Sequence, residues 1–225
     1  MLTHFGWSPL VELGFDNNRE LISPTTVFEP PLSTIPYTSN VERYTELKGL
    51  LVLHLRRGDY EGHCDHLAKW SSSYLAFNAL PQLEQFDPPD GGSWGDNTPE
   101  NFAIYRQHCL PTTEQIVQRV REVTRSERAQ GLENVYIMTN GAVPWVEELK
   151  GALVQTFGFK QVTSSRDLVL NWEQKYVAQA VDMLVGQRAQ VFIGNGVSAR
   201  SSALRTRCSD PMADPMPLCA RSGPV

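Results

Sequence analysis

The sequence has no apolar run long enough to cross a membrane. Its longest candidate, Leu50 to Leu53, has the length of a strand, whereas a membrane-spanning helix needs roughly 20 residues. Residues 1–14 also lack the basic start and the uninterrupted apolar stretch of a signal peptide. We therefore expect contact with a membrane only through segments that this sequence does not contain.

Positive charge and cysteine are both scarce. The chain has 20 lysines and arginines against 25 acidic residues, for a formal net charge of -5 at pH 7. It lacks the broad cationic surface needed for nonspecific nucleic-acid binding, so we expect no nucleic-acid partner and only a local anion site. The 4 cysteines fit no C-x-x-C metal pattern, and their even number permits disulfides without requiring them. The cluster from His63 to His66 cannot readily converge on one metal ion, because adjacent side chains point in different directions.

The sequence predicts a folded α/β domain between two less regular ends. With 225 residues, 41% hydrophobic and 20% charged, the chain is a globular protein of one large or two small domains. Prolines interrupt every pattern in residues 1–47, which we interpret as loop with short extended pieces, a remnant or a linker. Residues 48–205 alternate strand and helix, and residues 206–225 form a proline-rich tail without a core face.

The central region carries the pattern of a parallel sheet. Four apolar segments are predicted as its strands: 49–55, 134–138, 160–163 and 189–193. The predicted helices are one capped by Thr112 or Thr113 and stopped by Gly131, one that begins near Pro144, and one over 172–188. This alternation favours a Rossmann-like parallel sheet with helices on both faces, whose ligands bind at the carboxyl ends of the strands.

Two of these strand ends carry unusual residues. His54-Leu-Arg-Arg-Gly-Asp-Tyr60 closes the first strand, and Gly-Asn-Gly-Val-Ser-Ala-Arg-Ser-Ser at 194–202 follows the fourth. Both lie on the same edge of a parallel sheet, so two arginines and a Gly/Ser loop converge on one crevice. Guanidinium groups match phosphate oxygens bidentately, and free N–H groups with hydroxyls complete an anion cradle. The sequence therefore predicts a phosphate site, with a solvated arginine pair on a loop as the alternative.

Both strand ends resemble a known superfamily. The segment from His54 to Tyr60 is similar to the H-x-R-R-G-D-Y signature of the alpha-1,2-fucosyltransferases and to the H-x-R-x-G segment of the protein O-fucosyltransferases. Residues 179–189, 192–195 and 197–198 resemble the nucleotide-binding stretch of the protein O-fucosyltransferases at close to the same spacing. The two motifs stand in the right order, and the resemblance covers residues 48–202.

The resemblance implies a metal-independent, inverting GT-B glycosyltransferase that uses GDP-fucose and is made of two Rossmann-like domains, with this chain as the C-terminal, nucleotide-binding half. By the same resemblance, His54 and Asp182 contact guanine. Arg56 holds the beta-phosphate and stabilises the leaving GDP, whereas Arg57 matches only the double-arginine form of the motif. The other implied positions for the donor substrate are Asn195, Ser198 and Ser201, the two serines in the loop that contacts the pyrophosphate.

A disulfide is implied as well. In the resembling enzymes a cysteine soon after the arginine motif is bridged, and Cys109 is the available downstream partner for Cys64. Two buried thiols are the alternative.

The sequence also departs from the family pattern. Only 47 residues precede the predicted domain that carries the motif, where the family has an N-terminal domain that forms the acceptor face. We therefore expect transfer of fucose from GDP-fucose to a protein or glycan hydroxyl that is incomplete in this chain, with Asp59 as the fallback general base. The alternatives are a GDP-sugar-binding half-domain without activity and an unrelated domain that binds another phosphorylated metabolite. For a longer precursor the resemblance implies the lumen of the ER or Golgi.

Overall fold

A four-stranded, all-parallel sheet forms the centre of the computed structural model, which describes residues 6–72, 86, 89 and 97–194. The strands are β1 (Leu47–Leu55), β2 (Asn134–Thr139), β3 (Gln161–Ser164) and β4 (Ala189–Gly194). Their order in the sheet is β3-β2-β1-β4, so β1 is central and pairs with both β2 and β4. The predicted parallel sheet is confirmed, and its strand bounds agree with the sequence pattern to within two residues.

Helices cover both faces of the sheet. They are α1 (Pro9–Asp16), α2 (Arg19–Ile22), α3 (Asn40–Arg43), α4 (Glu61–Lys69), α5 (Pro99–Cys109), α6 (Thr113–Val123), α7 (Val143–Phe157), α8 (Trp172–Lys175) and α9 (Ala178–Arg188). Short 3-10 turns lie at Pro24–Phe28, Leu32–Thr34 and Glu127–Ala129. None of the helices described is both long and apolar enough to span a bilayer.

Alternate residues of β1 divide between two cores, as the period of a strand requires. Leu51 and Leu53 pack with α6 and α7, whereas Leu50 and Val52 pack with α1 and α9. Burial on both faces explains why β1 reads as a continuous apolar run. Parallel pairing sets Leu55 of β1 beside Thr139 of β2, so the carboxyl ends of these strands share one edge of the sheet.

Two predicted helices have other bounds in the structure than the sequence pattern indicated. The helix that begins at Thr113 stops at Val123 rather than near Gly131, and the hydroxyls of Thr124 and Ser126 bond back to carbonyls of its last turn. Such bonds offer the backbone an alternative to helix. The helix predicted over 172–188 is two helices, α8 and α9, because Val177 takes φ -111° and ψ 12° between them.

The amino-terminal segment differs most from expectation. We interpreted it as loop with short extended pieces, but it forms α1, α2 and α3 and contributes Val11 and Phe15 to the core against α9. The prolines do not prevent these helices: Pro9 occupies the first turn of α1 behind its cap, Ser8, where a missing N–H costs nothing. The domain limits at 47 and 205 remain predictions.

A buried ion pair holds this segment together. Glu12 of α1 accepts hydrogen bonds from Arg43 Nε at 2.7 Å, from Arg43 Nη2 at 2.6 Å and from the Tyr44 hydroxyl at 2.7 Å. Arg43 also donates to the carbonyls of Leu32, Ile35 and Pro36 at 2.6 to 3.1 Å. Both charged side chains are almost fully buried, so their hydrogen-bonding capacity is met inside the protein.

A disulfide joins α4 to α5. It links Cys64 and Cys109, whose Cα atoms lie 5.8 Å apart, and both residues are fully buried. They pack with Tyr60 and Leu110. The bridge therefore ties the helix that follows the arginine motif to the chain that leads into α6.

Candidate functional site

The carboxyl edge of the sheet brings three polar turns together. The turn after β1 carries Arg56, Arg57 and Asp59, and the turn after β2 begins with Asn140. The turn after β3 carries Ser165 and Arg166, and Arg166 donates to the carbonyl of Gly141 in the second turn at 2.9 Å. Hydrogen bonds between turns thus fix their relative positions.

Arg56 is exposed at this edge and faces a carboxylate. Its Nη2 lies 2.7 Å from Asp59 Oδ2, its Nε lies 3.2 Å from Asp59 Oδ1, and the guanidinium stands 5.2 Å from the centre of the Tyr60 ring. Hydrogen bonds from Arg56, and secondly from Asn140, hold the pKa of Asp59 well below its usual range. Asp59 therefore stays ionised at neutral pH and is a weak base.

Arg57 has different contacts from Arg56. Its Nη1 donates to the carbonyl of Pro111 at 2.6 Å, and its guanidinium lies 4.4 Å from the Trp145 ring centre, within reach of a cation–π interaction. Burial lowers the pKa of this guanidinium, against the attraction of Glu148 and Glu61. The two arginines that sequence reasoning grouped together thus have different surroundings.

Asn140 is a residue of the edge that sequence reasoning missed. Its Oδ1 accepts the backbone N–H groups of Arg57 and Gly58 at 2.8 and 3.0 Å, and its Nδ2 donates to Asp59 Oδ1 at 2.6 Å. Its position directly after a buried strand, on the edge that carries the arginine motif, was the available signal.

The two residues assigned to guanine are more deeply buried than Arg56. His54 is 3% exposed and follows Val52 by two positions, so it faces the side of the sheet that α9 covers. Asp182 of α9 is 6% exposed, and its carboxylate accepts the Tyr136 hydroxyl at 2.7 Å and the Ser165 hydroxyl at 3.0 Å. Burial, and secondly Asp182, raises the pKa of Tyr136 well above its usual value, so the phenol stays a donor.

The structure does not describe three further predicted positions. Asn195, Ser198 and Ser201 are outside the described residues. Within the described ranges, no group of three or more His, Cys, Asp or Glu side chains is placed to hold a metal ion.

The fold and this edge define an α/β protein with cationic and amide groups at the carboxyl ends of parallel strands, where proteins of this class bind their ligands. A family model described as "GDP-fucose protein O-fucosyltransferase" matches residues 27–207. The chain belongs to that family, which confirms the superfamily that the arginine motif indicated.

Solved structures of POFUT1 are similar to this chain. The apo form is 17% identical with a TM-score of 0.45, over 73% of this chain and 40% of that one. A complex with GDP is 16% identical with a TM-score of 0.45, over 73% and 39%, and a complex with GDP-fucose is 19% identical with a TM-score of 0.45, over 71% and 37%. The chain thus spans about 40% of the length of these proteins. No curated protein sequence matches it.

Proposed function

We propose that this chain binds GDP-fucose at the carboxyl edge of its sheet and takes part in transfer of the fucose, with inversion and without a metal, to a protein or glycan hydroxyl. The observation that carries the proposal is the family match over residues 27–207, which includes the arginine motif. The exposed side chain of Arg56 at the end of β1 supports it, because it stands at the edge where parallel sheets bind their ligands.

Arg56 supplies the main chemistry in this proposal. Cleavage of the bond between fucose and phosphate leaves negative charge on the departing GDP, and a guanidinium held at the beta-phosphate stabilises that charge. A metal ion would have the same task, so none is required. In the structure Arg56 donates through Nε and Nη2 to Asp59, so the guanidinium that would meet the diphosphate is already paired with a carboxylate.

Guanine recognition is assigned to Asp182 and His54. A carboxylate accepts two N–H bonds from the guanine edge, which adenine does not offer. The Asp182 oxygens bond to the hydroxyls of Tyr136 and Ser165, so guanine must share the carboxylate with them or displace the Ser165 hydroxyl. Asn195, Ser198 and Ser201, in the chain after β4, are proposed to contact the sugar nucleotide, the serines at the pyrophosphate.

Binding without transfer is the second candidate function, and the low basicity of Asp59 favours it. A positioned base contributes about a hundredfold to ten-thousandfold to such a reaction, and a carboxylate held by Arg56 and Asn140 is a poor one. Assays with radiolabelled GDP-fucose against peptide and glycan acceptors separate the two candidates. Turnover at saturating GDP-fucose that is lost in Asp59→Asn supports transfer with this base, and GDP binding without turnover supports the half-domain.

We expect GDP to bind more tightly than UDP or ADP in isothermal titration calorimetry of the purified chain. The reason is the pair of N–H donors on the guanine edge, which Asp182 can accept. A domain that binds some other phosphorylated metabolite would show no preference for guanine. Equal affinity for GDP and ADP would contradict the guanine assignment.

Replacement of Arg56 by alanine should weaken GDP binding at least about tenfold, because a charge-assisted contact to phosphate is lost while the fold keeps its core. Arg57→Ala should weaken it less, since Arg57 is bound to Pro111 and stacked on Trp145. Arg121→Ala, on the exposed side of α6, is the matched control and should change nothing. The assignment is reversed if Arg57→Ala abolishes binding and Arg56→Ala does not.

A further inference from the structure

We propose that Asn140 is a positioning residue that orients Arg56 through Asp59, so that the guanidinium meets the phosphate already aligned. This inference rests on the proposed function, in which Arg56 binds the diphosphate. Asn140 lies one position beyond the end of β2, and Arg56 lies one position beyond the end of the neighbouring strand, β1. It therefore connects two neighbouring strand ends.

The carboxamide of Asn140 uses both of its ends. The oxygen accepts two consecutive backbone N–H groups, of Arg57 and Gly58, while the nitrogen donates to the Asp59 carboxylate. The reversed amide would direct its NH₂ group at two N–H donors, so the contacts fix its orientation. A carboxylate at this position could serve the turn but not Asp59, and an alkyl side chain could serve neither.

The turn fits tightly around this residue. A Cβ atom on Gly58 would lie 2.6 Å from the carbonyl oxygen of Asn140, so only glycine allows the approach. The same carbonyl accepts Arg166 Nη2 at 2.8 Å. The backbone of Asn140 is therefore held from two sides, and this fixes the position from which its side chain extends.

Asp59 connects Asn140 to Arg56 through hydrogen bonds. Its Oδ1 is shared by Asn140 Nδ2 and Arg56 Nε, and its Oδ2 takes Arg56 Nη2. An exposed arginine–carboxylate pair alone is weak and easily lost to solvent. A third group anchored to the sheet fixes the rotation of the carboxylate and thereby the plane of the guanidinium. Such preorganisation improves binding because less freedom is lost when the ligand arrives.

The test compares GDP with guanosine, which has the base but no phosphate. In calorimetry Asn140→Asp should weaken GDP about three- to tenfold and leave guanosine unchanged, because only the phosphate meets Arg56. In an Arg56→Ala background the same change should cost less than twofold, since its target is gone. The matched control is Asn171→Asp, a helix cap for which aspartate serves equally well.

A second variant guards against a folding defect in the turn. Asp59→Asn breaks the chain of contacts from the exposed side, and it should reproduce the GDP-specific loss. Equal losses for GDP and guanosine, or a full loss by Asn140→Asp in the Arg56→Ala background, would overturn the positioning role.

A readout without nucleotide separates this inference from the proposed function. In NMR relaxation, the Arg56 Nε–H group should be ordered in the parent chain and in Asn171→Asp but mobile in Asn140→Asp. That result supports positioning even if GDP does not bind, in which case only the proposed function fails. An Arg56 Nε–H group of unchanged order in Asn140→Asp refutes positioning whatever the affinity for GDP.

Discussion

Replacement of Arg43 by leucine should lower the free energy of unfolding by about 3–5 kcal/mol, the largest single effect that we expect in this chain. The change leaves the Glu12 carboxylate buried with a single described hydroxyl donor, Tyr44, in place of a bidentate arginine. Carbonyls of the 32–36 turn lose their donors as well. Urea titration followed by circular dichroism measures the loss.

Two further variants show that the loss comes from the pair. Glu12→Leu combined with Arg43→Leu should cost less than the sum of the single changes, because neither charge then remains buried alone. Arg121→Leu, on the surface of α6, should cost little. A loss below about 1 kcal/mol for Arg43→Leu would show that water or a shifted backbone replaces the pair.

Removal of the bridge between Cys64 and Cys109 should cost about 4 kcal/mol in the chain-entropy model, because the two residues are 45 positions apart. We expect the bridge in material matured in an oxidising compartment. Non-reducing peptide mapping detects it, and unfolding of Cys64→Ala/Cys109→Ala measures its contribution. Two free thiols in secreted material would contradict the pairing.

The regions that lose protection from hydrogen exchange provide a second check on this bridge. Hydrogen exchange in the double-alanine variant should rise first in α4 and α5, which the bridge joins, and least in β1, whose Leu51 and Leu53 are fully buried. Uniform loss of protection would show instead that the whole domain depends on the bridge.

The sheet and its functional edge are predictable from sequence because they depend on local patterns. A strand buried on both faces must be apolar throughout, as β1 is, and parallel strands must share the edge at which they end. The strand pattern alone therefore predicts that the arginine motif lies at the carboxyl edge of the sheet. The capping box of Thr112 and Gln115 is local in the same way.

The parts that sequence reasoning missed depend on contacts between distant residues. Arg43 finds Glu12 across 31 positions, and this pair turns a proline-interrupted segment into part of the core. Arg57 faces Trp145 and Asn140 reaches Asp59 only because β1 and β2 are neighbours. Neither periodicity nor propensity encodes such pairings. The different contacts of Arg56 and Arg57 are therefore visible only in the structure.

The packing of α1 against α9 also determines when this protein can finish folding during synthesis. Trp7 Nε1 bonds to Gln187 Oε1 at 2.7 Å across 180 positions, and the buried face of α1 meets α9. Because α1 ends at Asp16 and α9 begins at Ala178, synthesis of the roughly 160 residues between them takes about 10–30 s at typical rates. During that time Val11 and Phe15 lack the part of their native surroundings that α9 supplies. The nascent chain therefore presents part of the apolar face of α1 to chaperones until α9 leaves the ribosome.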